Sequence, residues 1–302
     1  MRIAITGAFS YTGKHLGRRL LEDGHRLVAL TNHRGDSRLD GRAIPAFPLN
    51  FGDPNQLRDA LADIDVLFNT FWIRFEHGTA TFNSAVRDSE VLITAAKAAG
   101  VRRIIHVSIA NPSTSAHQPY YRGKAQVEDI VRKSGLAYSI VRPTVIYGHG
   151  DVLINNIAWF LRHTPVFGIP GDGHYRIQPV FIEDYAELLA RLGTKSQATL
   201  EIDAVGPDIF EFQEFVRAIK DAIGSRSILL NLPPRLALAA IQPFGFLVKD
   251  TVLTKEEINS LMEGLLVSRH PATCETKFRH WLLRNPHELG RSYASEMGRH
   301  FR

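Results

Sequence analysis

Three side chains with complementary chemistry lie near the middle of the chain. Tyr120 and Lys124 are four residues apart in the stretch PYYRGK, at the predicted start of a helix, so both lie on one face of it. Ser108 ends a predicted strand twelve residues before Tyr120. All three positions are therefore expected at the same edge of a sheet.

The three residue types suit proton exchange with a carbonyl or an alcohol. A tyrosine has a pKa of about 10 and is an effective acid–base group at neutral pH only when a cation such as Lys124 lowers that pKa. A hydroxyl such as that of Ser108 can hydrogen-bond a carbonyl oxygen. The alternative is that Tyr120 is a surface residue and Lys124 an exposed helix charge.

A glycine-containing turn near the N-terminus, GAFSYTGK over residues 7–14, follows the predicted strand Arg2–Thr6 and opens a predicted helix. Gly7 is placed for a tight turn and Gly13 for close packing of helix on strand, as in turns that hold a dinucleotide pyrophosphate at a helix N-terminus. Ser10 stands where such turns carry a middle glycine. The alternative is a strand-to-helix turn without a ligand.

The same turn does not fit an ATP-binding loop, which needs the pattern G-x-x-x-x-G-K followed by Ser or Thr. Five residues separate Gly7 from Gly13, and His15 stands where the magnesium-binding hydroxyl would be. Lys14 therefore gives no support to an ATP site.

The residues after the second predicted strand, Leu27–Thr31, indicate which dinucleotide fits. NAD-binding proteins carry an acidic residue there, which hydrogen-bonds the ribose 2′-hydroxyl. Here Asn32 and Arg34 follow the strand, and no acidic residue occurs before Asp36. Because an Arg side chain suits a 2′-phosphate, the sequence favours NADP(H) over NAD(H). The alternative is that Arg34 and Arg38 are solvated loop charges.

Apolar strands alternate with helices through the first half of the chain, which is the pattern of a parallel sheet covered on both faces. We expect an α/β fold, with a Rossmann-type doubly wound parallel sheet and a smaller, mostly helical C-terminal substrate lobe. Ligands of such sheets bind at the carboxyl ends of the strands. The predicted strands are Arg2–Thr6, Leu27–Thr31, Ala43–Asn50, Asp65–Thr70, Arg103–Ser108 and Ala137–Arg142, and the predicted helices are Tyr11–Gly24, Gln56–Ala62, Thr79–Gly100 and Tyr120–Ser134.

The second half is less regular, and we predict a domain boundary near residue 148. Residues 1–148 form the NAD(P)-binding Rossmann domain, with 176–204 packing back onto it, and residues 149–302 form the substrate-binding lobe.

Two stretches of the lobe have clear local signals. Leu232–Leu247 is apolar and interrupted by prolines. Thr254 and Glu257 form a capping box that predicts a helix. The apolar face of this predicted helix comprises Ile258, Leu261, Met262, Leu265 and Leu266.

Composition narrows the ligand classes. The net charge of +5 is small and scattered, which favours anionic small molecules and not nucleic acid. The single Cys274 excludes an internal disulfide and a Cys-based zinc site, and the histidines show no HExxH motif or closely spaced pair. We expect a small-molecule substrate and no bound metal.

No stretch predicts a signal peptide or a membrane span, because the N-terminal apolar run is short and prolines interrupt the longest one. We expect a cytoplasmic protein. The apolar C-terminal lobe leaves a peripheral membrane contact open, and helices Thr79–Gly100 and Tyr120–Ser134 could pair two subunits into a homodimer.

The ordered set of motifs resembles the short-chain dehydrogenase/reductase superfamily, in its extended and atypical branches. The stretches that carry the resemblance are ITGAFSYTG, LTNHR, FGDPNQL, VLFNTFW, AAKAAGVRRIIHVS, YYRGK, IVRPTVIYGHGD and GDGHYRIQPVFIEDYAELL, within about the first 190 residues. The tail, with DTVLTKEEINSLMEGLL and WLLRNPHELGRSYASEMGRH, is similar to bacterial proteins akin to the NAD(P)-binding accessory subunit of respiratory complex I. The chain is also similar to nucleoside-diphosphate-sugar epimerase-like proteins.

The resemblance implies roles for individual positions. Tyr120 would be the acid–base, Lys124 would hold the nicotinamide ribose and tune Tyr120, and Ser108 would orient the substrate. The implied cofactor-binding residues are Gly7, Phe9, Ser10, Tyr11, Thr12 and Gly13 around the pyrophosphate, Thr31, Asn32 and Arg34 at the adenosine ribose, Phe51 and Asp53 at the adenine, Asn69, Thr70 and Phe71 at the nicotinamide ribose, and Pro143 and Thr144 at the carboxamide.

The function expected is an NADP(H)-dependent oxidoreductase that transfers hydride to or from a carbonyl or alcohol, with a hydrophobic or aromatic substrate. One alternative is a nucleotide-sugar epimerase or dehydratase with tightly bound NAD. The other is an NADP(H)-binding assembly or sensor protein without catalysis. The spacing from Ser108 to Tyr120 is shorter than in the sugar-modifying relatives, and Ser10 departs from their glycine pattern.

Overall fold

The structure is a computed structural model and describes residues 1–32, 37–195, 199–248 and 250–295. The chain divides into two compact units. The first comprises Met1–Pro143 and Ile182–Ala204, and the second Thr144–Phe181 and Val205–Arg302. The sequence-based domain limits differ from these by a few residues and stay a prediction.

The strands of the described residues, in chain order, are β1 (Arg2–Thr6), β2 (Arg26–Leu30), β3 (Arg38–Leu39), β4 (Arg42–Ala43), β5 (Ala46–Phe47), β6 (Val66–Asn69), β7 (Arg103–Val107), β8 (Ala137–Pro143), β9 (Val145–Tyr147), β10 (Val166–Pro170), β11 (Arg176–Ile177), β12 (Pro179–Phe181), β13 (Leu200–Ala204), β14 (Phe210–Glu211) and β15 (Ile228–Leu232). The helices are α1 (Tyr11–Glu22), α2 (Pro54–Ala60), α3 (Phe82–Ala98), α4 (Pro119–Lys133), α5 (Leu153–His163), α6 (Ile182–Thr194), α7 (Phe212–Ala222), α8 (Pro234–Val248), α9 (Lys255–Met262) and α10 (Phe278–Arg284).

The first unit is built on a seven-stranded sheet in the order β13-β8-β7-β6-β1-β2-β5, and every neighbouring pair is parallel. Alternate side chains of its strands face opposite sides. On one side Ala4 and Leu67 join a core with α2, α3 and α4. On the other side α1 approaches Ile5 and α6 approaches Phe68. The predicted Rossmann-type α/β fold is confirmed.

Two predicted elements are shorter than expected. Of the strand predicted over Ala43–Asn50, only β5 joins the seven-stranded sheet, because its flanking prolines cannot donate to the ladder and confine it to the sheet edge. The helix predicted from Thr79 begins at Phe82, since Thr81 is its N-cap and exchanges capping-box hydrogen bonds with Ser84.

The outer strand β13 was not predicted. Its sequence, LEIDA, carries two acidic residues, which are uncommon in strands. It pairs with β8, so that Asp203 lies opposite Arg142. Charge pairing across this edge, described below, offsets the weak strand preference.

The second unit has a core around Tyr147, Phe215, Phe278 and Trp281, formed mainly by α5, α7 and α10. Small sheets flank it, pairing β10 with β15, β11 with β14, and β12 with β9.

In this unit the structure assigns a stretch that the sequence left open and corrects the extent of one predicted helix. The Pro-interrupted stretch is one helix, α8, which tolerates Pro243 inside it and begins at Pro234, where no backbone N–H is needed. Helix α9 ends at Met262, and Gly264 follows with a φ of +70°, so Leu265 and Leu266 lie beyond it. Among the described residues, no helix has the length and apolarity that crossing a bilayer requires.

Candidate functional site

The turn after β1 has the backbone geometry that its glycines allow. Gly7 has a φ of +63°, in the left-handed region that favours glycine. A Cβ on Gly13 would lie 2.1 Å from the carbonyl oxygen of Gly7, so no side chain fits there. The turn thus brings the N-terminus of α1 close to the end of β1.

Ser10 caps this helix in place of the expected middle glycine. Its Oγ accepts a hydrogen bond from the backbone N–H of Gly13 at 3.2 Å, and its hydroxyl proton is not used in that bond. The first turn of α1 contains no acidic residue. Its positive end is therefore compatible with a phosphate, beside the half-buried Phe9, Tyr11 and Thr12.

Lys14 and His15 differ in their surroundings. Lys14, the last residue of the turn, is exposed. His15 is buried, and its Nδ1 lies 2.8 Å from Oε1 of Glu183 on α6. This pair joins two helices, and neither residue resembles the phosphate or magnesium contacts of an ATP site.

Thr6 at the end of β1 is hydrogen-bonded to the residues that follow β6. Its Oγ1 accepts hydrogen bonds from the backbone N–H groups of Thr70 at 2.8 Å and Phe71 at 3.0 Å. The Oδ1 of the buried Asn69 accepts a second bond from Phe71 N–H at 3.1 Å. The Asn69 amide therefore shapes the loop after β6, and Thr70 and Phe71 are fixed next to the glycine turn.

His106 lies beside Asn69 on the adjacent strand β7. It was not predicted from the sequence as a site residue. It is fully buried, and its Nδ1 is 3.3 Å from Nδ2 of Asn69. Burial lowers its pKa well below the usual value, and the charges of Lys124 and Arg142 lower it further. His106 is therefore neutral, with Nδ1 accepting from the amide and the proton on Nε2.

The structure describes only part of the segment expected at the adenosine ribose. Thr31 is half-buried, and its backbone N–H donates to the carbonyl of Phe47 at 2.9 Å. The Asn32 amide makes both of its hydrogen bonds to the backbone of Leu49, at 3.0 and 3.1 Å. Arg34 lies outside the described residues.

The aromatic residue expected at the adenine is in contact with the one expected at the nicotinamide ribose. Phe51 and Phe71 have ring centroids 4.7 Å apart. Asp53 is the N-cap of α2, and its Oδ1 accepts from Gln56 N–H at 3.0 Å. Asp53 thus has a structural role in addition to the one expected from the resemblance.

Ser108 follows β7 directly and is buried, with an exposed fraction of 3%. Its backbone N–H donates to the carbonyl of Val141 at 2.8 Å, which holds it at the carboxyl end of the sheet. Its Oγ has no hydrogen-bond partner among the described residues. A buried hydroxyl without a partner is uncommon and suits an oxygen-containing ligand.

Lys124 is buried inside α4 and is not the exposed helix charge of the alternative interpretation. Its exposed fraction is 2%, and Nζ donates to the carbonyl of Val107 at 2.9 Å. Burial lowers its pKa to about 7, while the nearby carboxylate of Glu128 acts in the opposite direction. A change in local charge can therefore switch this amine between its two protonation states near neutral pH.

Trp72 connects Lys124 to Tyr120, and the sequence did not suggest it. The Lys124 ammonium lies 4.8 Å from the centre of the Trp72 ring, a cation–π contact. Tyr120 packs edge-on against the same ring at 6.0 Å and against Phe82 at 5.7 Å. A Cβ at Gly123 would lie 2.9 Å from the indole, so this glycine permits its close approach to α4.

The two residues expected at the carboxamide fall in different units. Pro143 ends β8 and its carbonyl accepts from Ala110 N–H at 2.9 Å. Thr144 is buried in the second unit, where its Oγ1 donates to the carbonyl of Gln178. Within the described ranges, no three His, Cys, Asp or Glu residues are grouped to hold a metal ion.

Comparison with known proteins identifies the domain that carries this geometry. A family model described as NAD(P)H-binding matches residues 7–152, which include the glycine turn, Ser108, Tyr120 and Lys124. Residues 7–152 form an NAD(P)H-binding domain. Its sheet and glycine turn are those that the sequence motifs predicted.

Two curated relatives extend beyond the NAD(P)H-binding domain. The chain is 25% identical over 284 residues to the mitochondrial NADH dehydrogenase (ubiquinone) 1 alpha subcomplex subunit 9 of Arabidopsis thaliana, covering 87% of this chain and 70% of that subunit. It is 28% identical over 237 residues to the ceramide reductase of Caulobacter vibrioides, covering 76% of this chain and 73% of the reductase.

Solved structures share the fold. An NADPH-dependent quinone oxidoreductase of Escherichia coli, complexed with NADPH, has a TM-score of 0.74 at 19% identity and covers 94% of this chain and 98% of its own. A dTDP-glucose 4,6-dehydratase of Streptomyces venezuelae, with NAD bound, has a TM-score of 0.68 at 18% identity, with coverages of 95% and 96%. The predicted resemblance to the extended branch of the short-chain dehydrogenase/reductase superfamily is confirmed, and the fold is one that NAD(P)-dependent oxidoreductases use.

A charge network around the buried Glu128, one helical turn after Lys124, stabilises the first unit and was not predicted. The Glu128 carboxylate, on α4 and 2% exposed, accepts from Arg142 at 2.8 and 2.7 Å and from Arg132 at 2.8 Å. Glu201 on β13 pairs with the same two arginines. The arginines lower the pKa of Glu201 to about 2. The network joins α4, β8 and β13.

Proposed function

We propose that the protein is an NADP(H)-dependent oxidoreductase that interconverts a carbonyl and an alcohol, with Tyr120 as the acid–base. The observation that carries this proposal is the burial of Lys124 one helical turn after Tyr120, with a pKa of about 7 and the Trp72 ring packed against both side chains. Burying an amine in this way is costly, and buried amines with such pKa values are characteristic of functional sites.

The residues of the domain fit a dinucleotide. The close packing at Gly13 brings the N-terminus of α1 to the end of β1, and this capped N-terminus would offer a positive dipole to the pyrophosphate. An ammonium has three donors and Lys124 Nζ gives one to Val107, so two remain for the ribose hydroxyls of a nicotinamide nucleotide. The cofactor would supply hydride to, or accept it from, the substrate carbon.

The protein's own side chains would transfer the proton and stabilise the group that loses it. In the reductive direction, the substrate oxygen gains negative charge as its carbon accepts hydride, and the Tyr120 hydroxyl transfers a proton to it. The cationic form of Lys124 stabilises the resulting phenolate. Ser108 Oγ, which has no partner among the described residues, would donate a hydrogen bond to the same substrate oxygen.

We propose a hydrophobic or aromatic substrate. Tyr120 packs among aromatic side chains, namely the half-buried Trp72 and the buried Phe82 and Tyr121. Aromatic surroundings favour flat or apolar groups and offer few partners to sugar hydroxyls. The names of two similar proteins, a ceramide reductase and a quinone oxidoreductase, are compatible with this class.

We propose NADP(H) as the preferred cofactor because Asn32 and Arg34 follow β2 and no acidic residue precedes Asp36. Tightly bound NAD in the purified protein would instead favour the epimerase or dehydratase alternative. A cytoplasmic location and a homodimer through α3 and α4 stay predictions.

A second candidate is a non-catalytic NADP(H)-binding subunit or assembly protein. It is favoured by the similarity to a complex I subunit over 87% of this chain. This candidate predicts cofactor binding and stable protein partners, without turnover.

One experiment separates these functions. The nucleotide that co-purifies with the protein is identified by mass spectrometry, and NADPH consumption is then followed with a panel of aromatic and apolar aldehydes, ketones and quinones. The proposal expects NADP(H) and substrate-dependent oxidation. Binding of NADPH without consumption across the panel would support the non-catalytic subunit, and co-purified NAD would support the epimerase.

A further inference from the structure

Several large apolar side chains of the second unit are exposed on β10, β15 and α8. On the outer side of the β10–β15 pair, Val166, Ile228 and Leu230 are 43%, 61% and 47% exposed. Val166 lies opposite Ile228 in the pairing register, and Leu230 is two residues further along the same side. Leu236, at the start of the helix that follows, is 58% exposed.

The exposed side of helix α8 is mainly apolar, and the exposed polar residues Arg235 and Gln242 lie at one edge of it. Leu236, Ala239, Ala240 and Pro243 are exposed and recur at the spacing of one helical face. The helix has no acidic residue in its first turn and no basic residue in its last. A surface helix normally has a polar exposed face, so an apolar one indicates that something covers it.

We define the apolar surface as these seven side chains of β10, β15 and α8. Helix α8 contacts β10 and follows β15 almost directly, so the three elements are neighbours. The exposed apolar side chains thus lie on neighbouring elements and are not scattered singly over the surface.

The segment of the chain that contains β15 and α8 carries charged residues of positive sign only. From Arg226 to Lys249 the sequence contains no Asp or Glu, and its charged residues are Arg226, Arg235 and Lys249. Arg226 is exposed and makes no ion pair with any residue that the structure describes. An apolar surface with cations at its margin has the composition of an interfacial membrane-binding element.

A basic cleft of about 560 Å³ adjoins Ile228 and is lined by Arg162, His163, Arg226 and Ser227 among others. The Arg162 guanidinium donates only to the backbone carbonyls of Ile223, Pro286 and Leu289, so no carboxylate of the described chain neutralises it. Ser227 is buried, and its Oγ has no partner among the described residues. These groups suit the phosphate of a lipid headgroup.

We propose that the protein binds peripherally to bilayers that contain anionic phospholipid, through the apolar surface and the adjoining basic cleft. The apolar side chains enter the boundary between headgroups and acyl chains, while Arg162 and Arg226 meet lipid phosphates. A second copy of the chain is a poorer occupant, because a two-fold contact would place the same cationic margins opposite each other.

The test uses the full chain with vesicles of phosphatidylcholine alone and of phosphatidylcholine with phosphatidylglycerol. Flotation at low and high salt is expected to show binding to the anionic vesicles, weakened by salt. Leu236→Glu and Ile228→Glu should each lower partitioning by about tenfold or more, since each places a carboxylate in the apolar contact. Arg226→Gln should lower only the binding to anionic vesicles.

Leu283→Glu is the matched control, because Leu283 is a 73% exposed leucine on α10, an element that is not part of the apolar surface as defined. It should bind vesicles as the wild type does, and all variants should keep their melting temperature and their affinity for NADPH. Absence of wild-type binding to anionic vesicles would overturn the proposal. The proposal would also be overturned if the wild type is a dimer and Leu236→Glu converts it to a monomer without changing its binding to vesicles. That result would assign the apolar surface to contact between two copies of the chain.

Discussion

Lys124 is the residue on which the proposed chemistry depends most. It is one of the few buried cations of the NAD(P)H-binding domain, and it is held by one carbonyl and one indole ring. The protein therefore stabilises its charge only weakly, and its pKa falls to about 7. An anionic ligand that reaches this position will shift that equilibrium strongly.

Binding of NADPH should take up protons at about pH 8. Since the pKa of Lys124 is about 7 in the free protein, the amine is mostly neutral at that pH, and the nucleotide's negative charge raises the pKa and favours the ammonium. Calorimetry in two buffers with different ionisation enthalpies measures the uptake. Lys124→Met should abolish it and Lys133→Met, at the end of the same helix, should not; equal uptake in Lys124→Met would assign the proton elsewhere.

Individual site residues were predictable to different degrees. The glycine turn, Ser108, Tyr120 and Lys124 were identified from residue type, spacing and position at strand ends. Trp72 and His106 were not, because an aromatic or a histidine inside an apolar stretch has no pattern that separates a site residue from a core residue. Their placement depends on the close approach at Gly123 and on strand register, which are properties of the assembled sheet.

At the scale of elements, the sheet of the first unit was largely predictable, while its outer edge was not. Apolar runs separated by amphipathic helices predict β1, β2, β6, β7 and β8 within about two residues of the observed limits. Strand β13 was missed because its stability comes from pairing Glu201 and Asp203 with arginines that are distant in sequence. Helix α8 was missed because tertiary contacts with β10 outweigh the low helix preference of Pro243.

The network around Glu201 should make stability depend on acid pH. The pKa of Glu201 falls from 4.5 to about 2 on folding, so its stabilising contribution is complete above about pH 4.5 and is lost as pH falls towards 2. A shift of that size corresponds to about 3 kcal/mol, which solvent screening reduces to about 1–2 kcal/mol at this partly exposed carboxylate.

Urea unfolding of wild type and Glu201→Gln at pH 7 and pH 3 tests this contribution. The variant should lose about 1–2 kcal/mol of unfolding free energy at pH 7 and much less at pH 3. Asp129→Asn, at an exposed partner of the same Arg132, is the control and should change stability by less than about 0.5 kcal/mol. An equal loss at both pH values in Glu201→Gln would show that packing, not charge, holds β13.

At the scale of the whole molecule, the first and second units contribute different properties. The first unit contains all the residues proposed for cofactor binding and proton transfer except Thr144. The second unit carries the apolar surface and the basic cleft. Fold class followed from the first half of the sequence, whereas the small strand pairs of the second unit join residues that are far apart in the chain and leave no local periodicity.

NADPH should stabilise the folded protein more than NADH does. A ligand at a hundred times its Kd raises unfolding free energy by about 2.7 kcal/mol, so NADPH should increase the melting temperature more than NADH at equal concentration. Arg34→Glu should reverse that order, because a carboxylate repels a 2′-phosphate and accepts from a 2′-hydroxyl. Equal shifts with both nucleotides in the wild type would contradict the proposed preference, and Arg38→Glu serves as the charge-matched control.

The most direct test of the proposed chemistry compares Tyr120→Phe with wild type, using the best substrate from the carbonyl panel. NADPH consumption and NADPH affinity are measured on the same samples, with Tyr121→Phe as the neighbouring control. We expect kcat to fall by about a hundredfold or more in Tyr120→Phe, with the Kd for NADPH unchanged, because only the proton donor is lost. Full turnover by Tyr120→Phe would contradict the assignment of Tyr120 as the acid–base.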